Sequence, residues 1–74
     1  MVNRMSYRES IGRELKRIRE SKGFSLRETG ERAGITFQSI GKIEAGKYSV
    51  TVDTLEKICE AIGAEVLIKE RESQ

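Results

Sequence analysis

The stretch from Ser25 to Lys47, SLRETGERAGITFQSIGKIEAGK, constrains the fold more than any other part of the chain. Ser25 stands three residues before Glu28. At that spacing a serine hydroxyl accepts from the third helical amide while the glutamate returns to the serine amide. A helix is therefore expected over Leu26–Ala33. Gly34 follows, and glycine takes the positive φ of a sharp turn without steric cost. Thr36 can then cap a further helix, expected from Phe37 to Ala45 and ended by Gly46. A short helix held out by a tight turn is a shape that fits the major groove of DNA.

The flanks follow the same grammar. Ile11, Leu15 and Ile18 recur at helical spacing with Arg13, Lys16, Arg17 and Arg19 between them, which predicts a first helix from about Tyr7 to Lys22 stopped at Gly23. Thr51 can cap a last helix that carries Val52, Leu55, Ile58, Cys59 and Ile62 on one face and ends at Gly63. Beyond it AEVLIKE is short and rich in β-formers, so residues 64–70 are expected as a strand and 71–74 as a frayed tail. The alternatives for this end are an unstructured tail or a fifth helical turn. No proline, repeat or linker divides the chain, and residues 1–74 read as one domain with its core in 7–63.

Composition excludes several functions. There is no His, and the one cysteine, Cys59, cannot supply a multi-cysteine zinc site. No nucleophile–base pair and no phosphate-cradling glycine loop stand at motif spacing, so no enzyme activity and no cofactor are expected. No apolar run approaches the roughly 18 residues that span a bilayer, and the first residues lack the apolar centre of a secretory signal. A cytoplasmic protein without membrane contact fits, and so small a core leaves no room for a small-molecule effector pocket. The net charge of +2 hides a polarity, because residues 1–24 carry +4, residues 25–47 carry +1 and residues 48–74 carry −3. A basic front half suits contact with phosphates.

Taken together, L-x-x-x-R-x-x-x-G-F-S, A-G-I-T-x-x-S-I-x-x-I-E-x-G-K and T-L-x-x-I-x-x-A-I-G form a specific set, and over roughly Ile11 to Gly63 the chain resembles the phage-repressor-like (Xre/Cro) helix-turn-helix proteins. The resemblance implies an all-α, compact four- to five-helix lambda-repressor-like DNA-binding domain. It also implies double-stranded DNA as partner, read by the helix after the turn, and a homodimer on an inverted-repeat operator. Within it Arg19 pairs with Glu44, tying the first helix to the end of the third. The competing reading is an exposed ion pair of little worth.

The same resemblance places Thr36, Phe37, Gln38, Gly41 and Lys42 on the side that faces DNA. Gln38 can pair bidentately with adenine, and Lys42 can reach a guanine edge or a phosphate. Phe37 can press on a thymine methyl or pack as a satellite of the core. Ser39 is expected at a phosphate oxygen beside the helix N-terminus, with Arg17, Arg27 and Lys47 as backbone contacts. Two positions depart from the family: Thr29 replaces the usual leucine, and Gly30 stands where alanine is common. Gly30 has a reason in close helix approach, whereas Gly41 inside the helix has no packing reason in the sequence.

A lone strand leaves its amides and carbonyls unpaired, and a helical bundle has no sheet to receive it. Pairing of Val66, Leu67 and Ile68 with the same strand of a second copy solves this, and AEVLIKE looks similar to the dimerising strand of some antitoxins of the family. Two functions are therefore expected in competition. One is a homodimeric repressor. The other is an antitoxin-type module that binds a toxin protein. Cys59 is expected as a buried, inert thiol.

Overall fold

Each helix starts at a hydroxyl. A computed structural model describes residues 5–72 as four helices, α1 (Tyr7–Ser21), α2 (Leu26–Ala33), α3 (Phe37–Glu44) and α4 (Val52–Ile62). Their N-caps are Ser6, Ser25, Thr36 and Thr51, and each side chain accepts from the amide three residues on. At Ser6 and Ser25 the reciprocal glutamate bond is present as well. α2 ends at Gly34, whose φ of 73° turns the chain toward Thr36 while its N–H donates to the Gly30 carbonyl over 2.8 Å.

α2 packs on α3 and α4, and α1 packs on the same two helices. The core between them is Leu15, Ile40, Ile43, Leu55, Ile58, Cys59, Ala61 and Ile62, with Ile11, Ile18, Phe24, Leu26 and Ile35 closing its margins. Ile40, Ile58 and Ile62 are sealed from solvent, each stabilising by about 1.5–3 kcal/mol through burial. That packing matters most for α2 and α3, because an isolated helix of eight residues is unstable in water.

Backbone contact fixes the helix positions more tightly than side-chain packing does. A Cβ at Gly12 of α1 would fall against the carbonyl oxygen of Ile43 and 2.6 Å from that of Glu44. A Cβ at Gly30 of α2 would lie 2.5 Å from the Ile35 oxygen and 3.2 Å from the Phe37 nitrogen. α3 is thus clasped at its start by α2 and at its end by α1, at distances only glycine permits. The expected role of Gly30 is met; that of Gly12 gave no sign in the sequence.

Two expectations need correction. The expected β-strand at residues 64–70 does not form: the described residues hold no strand, and the segment is irregular. Ala64 donates its N–H to the Cys59 carbonyl over 2.8 Å and packs on the core. Past it the four helices offer no edge, so the β-forming residues have no ladder to join. Val52, assigned to the packed face, is 80% exposed, because it opens α4 where that face runs off the end of the bundle. The four helices among the described residues fall within the expected four to five. Of the tail, Arg71 and Glu72 have no regular structure, and residues 73–74 lie outside the described residues. None of the described helices is long and apolar enough to cross a membrane.

Candidate nucleic-acid interface

The end of α3 is locked before its start is presented. Arg19 Nε donates to Glu44 Oε2 over 2.7 Å and Nη2 to Oε1 over 3.1 Å, a two-pronged pair with side chains 9% and 6% exposed. The remaining prong, Nη1, donates to the Phe24 carbonyl over 2.7 Å, so the fork also holds the loop between α1 and α2. The hydrogen bonds to Glu44 raise the Arg19 pKa further above its ordinary value. Such a pair contributes little relative to a hydrocarbon replacement, but removing one member strands a buried charge at about 3–5 kcal/mol. The exposed-pair reading is thereby excluded.

At the other end, Thr36 Oγ1 accepts from the Ser39 N–H over 3.2 Å and donates its own proton to Ser39 Oγ over 2.9 Å. The Ser39 hydroxyl proton is left to donate elsewhere. Gln38 is exposed beside this cap, on the face it shares with Lys42 four residues later. Phe37 is half-buried with the Arg27 guanidinium 4.3 Å from its ring centroid. Arg27, Thr36, Phe37 and Gln38 line one shallow depression at the turn, together with Glu31. The structure therefore joins Arg27 to the start of α3 and gives Phe37 a cationic lid.

The other expected contacts divide. Lys42 is exposed, and its Nζ donates to Tyr48 Oη over 3.1 Å. Lys47 is exposed in the following loop, and its N–H donates to the Lys42 carbonyl over 3.0 Å. At Gly41 a Cβ would grow toward Leu26 Cδ1 at 3.7 Å, an ordinary contact, so nothing in the packing requires glycine there. Arg17 stands apart: it donates through Nε and Nη2 to Glu14, with a shortest approach of 2.8 Å. Glu14 lines the groove against residues 64–67, whereas α3 meets the face of α1 carrying Gly12 and Arg19. Cys59 is buried, and burial pushes its thiol pKa up, leaving it protonated and unreactive.

Two residues escaped the sequence. Gly12 shares a face with Arg19 two turns on, and that spacing is the signal that could have exposed the α1–α3 contact. Tyr48 had no such signal, because its six-residue distance from Lys42 crosses a helix end, where periodicity stops.

The family model for helix-turn-helix proteins matches residues 15–67. A prophage-derived helix-turn-helix transcriptional regulator, YonR of Bacillus subtilis, is 40% identical over 53 residues, covering 72% of this chain and 49% of the relative. PuuR of Escherichia coli, also a helix-turn-helix transcriptional regulator, is 36% identical over 52 residues, covering 70% and 28%. The matched segment thus spans about half of the first relative and less than a third of the second. A regulator of Sinorhizobium fredii, y4dJ, is 32% identical over 59 residues, 80% of this chain and 77% of its own. Among solved structures, the clp gene regulator ClgR of Corynebacterium glutamicum superposes with a TM-score of 0.80 at 31% identity, over 84% of this chain and 80% of that one.

Proposed function

This chain belongs to the helix-turn-helix family of DNA-binding transcriptional regulators, and we propose that it is a homodimeric, sequence-specific repressor that inserts α3 into the major groove. One observation carries the reading. The N-terminal half of α3 presents the exposed Gln38 and the free hydroxyl proton of Ser39, while Arg19–Glu44 and the glycine contacts fix the helix behind them. Gln38 reads an adenine edge. Thr36, Ser39, Arg27 and Lys47 grip phosphates around it, and Phe37 offers the rim of its ring to a thymine methyl. Arg17, tied to Glu14, is the weakest of the proposed contacts.

Dimerisation rests on residues that the fold leaves uncovered. Val66, Leu67 and Ile68 are 54%, 80% and 97% exposed, and Val52 stands open near them. Apolar side chains so concentrated are stabilised by a partner surface. A second copy is the occupant that a two-fold operator demands. The antitoxin-type reading is favoured by the same side chains, with a toxin covering them instead.

Selection of duplexes from a random pool tests the reading. An inverted repeat is the expected result, and sedimentation of the pure chain should report a dimer. No enriched sequence, together with a monomer that aggregates until a second protein is supplied, favours the interaction module.

A further inference from the structure

We propose that Tyr48 is the positioning residue that commits Lys42 to a DNA phosphate and withholds it from the base edges. The inference rests on the DNA-binding reading above and goes beyond it, since Lys42 alone could serve a guanine or a phosphate. Lys42 lies in the last turn of α3, and its ammonium is held at the hydroxyl end of one ring. Nζ donates to Tyr48 Oη over 3.1 Å and stands 5.3 Å from the ring centroid. Tyr48 belongs to the loop past the α3 C-cap at Ala45, so the tether draws Lys42 toward the C-terminal end of its helix. Gln38 occupies the opposite end, where recognition helices reach base edges.

The chemistry at that point suits an anion. A lysine ammonium has three donors and no acceptor; one goes to Tyr48 and two remain. A phenol oxygen that accepts from an ammonium turns its own proton outward, which adds another donor within 3.1 Å. The adjacent Lys47 adds positive charge from the same loop. Holding the lysine in one pose also removes rotamer freedom that would otherwise be lost on binding. Among the described residues no carboxylate forms an ion pair with Lys42, and both side chains are exposed, so their donors are open to an oxyanion.

The test uses the full chain and a duplex that it selects from a random pool, with Lys42→Ala, Tyr48→Ala, Tyr48→Phe and the doubles of each Tyr48 change with Lys42→Ala. Lys42→Ala should weaken binding by a similar factor on every base-substituted duplex and lower the slope of log affinity against log salt by about one. Tyr48→Ala should weaken binding about two- to fivefold, the worth of one exposed hydrogen bond, and sharpen preference for guanine at one position. Tyr48→Phe, which removes only the hydroxyl that holds the ammonium, should lose about as much. Both Tyr48 effects should vanish in the Lys42→Ala background. Thermal melts identify any variant that fails to fold, and Tyr48→Phe carries the test if Tyr48→Ala is lost. Additive losses overturn the tether, as does a Lys42→Ala change confined to one base position with the salt slope intact. If the wild-type chain enriches no duplex, the DNA-binding reading falls and this one with it.

Discussion

Thr29 gives the sharpest test of how this core is held. Its side chain is fully buried in α2, yet Oγ1 has no hydrogen-bond partner among the described residues. A hydroxyl removed from water without a partner costs about 1–3 kcal/mol. Thr29→Val keeps the branched shape, replaces the hydroxyl by a methyl and barely alters helix propensity, since the two residues rank together. The packing around the position, already tight enough to exclude solvent, is therefore left in place. The expected gain is about 1–2 kcal/mol, the lower part of the range because a buried site relaxes a little around any orphan. For a domain of this size each kcal/mol moves Tm by about 4–8 °C, so the variant should melt well above the wild type. The assay is thermal and urea unfolding followed by helical circular dichroism, with Thr29→Ser beside it. Serine retains the orphan and deletes a methyl, so it should be the least stable of the three. A Thr29→Val variant that folds normally but melts at or below the wild type refutes the reasoning, for then the hydroxyl has a partner.

Four further outcomes follow from the geometry. Glu44→Ala should cost about 3–5 kcal/mol in urea titration by stranding Arg19, and Arg19→Met combined with Glu44→Leu should recover most of that loss. Gly12→Ala should destabilise by about 1–3 kcal/mol despite alanine's better helix propensity, because two carbonyls of α3 occupy the space, whereas Gly41→Ala should stabilise by about 0.5–1 kcal/mol. The Ser25 amide and hydroxyl hold the Glu28 carboxyl below its ordinary value, so its contribution is complete above the ordinary value and fades as pH falls through the lower, folded one. Acid melts should accordingly show Glu28→Gln less sensitive than the wild type to pH falling below the ordinary carboxylate value. Gln38→Ala should cost about 1–3 kcal/mol on the selected duplex, with the loss concentrated at one adenine, and equal loss on all sequences would remove it from base reading.

Local signals account for what was legible in the sequence. Ser25 with Glu28, Thr36 and Thr51 each act within one helical turn, so the helix starts at Leu26, Phe37 and Val52 follow from neighbours alone. The isoleucines of α3 and α4 declare their buried face by spacing. Arg19 and Glu44, 25 residues apart, were visible only through the family resemblance, since no local rule joins them. Gly12 was missed for the same reason: its importance lies in two carbonyls of another helix. Residues 64–70 failed in the opposite sense. Their composition favours a strand, but a strand is a property of a pair, and the four helices supply no partner. Arg17 is expected at DNA from its charge and neighbours, and in the fold it pairs with Glu14 one turn away.

These distances imply a division of labour along α3 itself. Eight residues cannot hold a helix in water, so α3 exists only in the pose its surroundings impose. The residues that impose it are Gly12, Arg19 and Gly30, and the residues that receive it are Ile40, Ile43 and Glu44. None of them points outward. Gln38, Lys42 and Tyr48 are exposed and contribute almost nothing to that pose. Substitutions in the first set should therefore move stability and every DNA contact together, whereas those in the second should alter DNA binding at constant stability. A frame whose cost lies in buried backbone contacts can change what it reads by single surface substitutions, without being refolded.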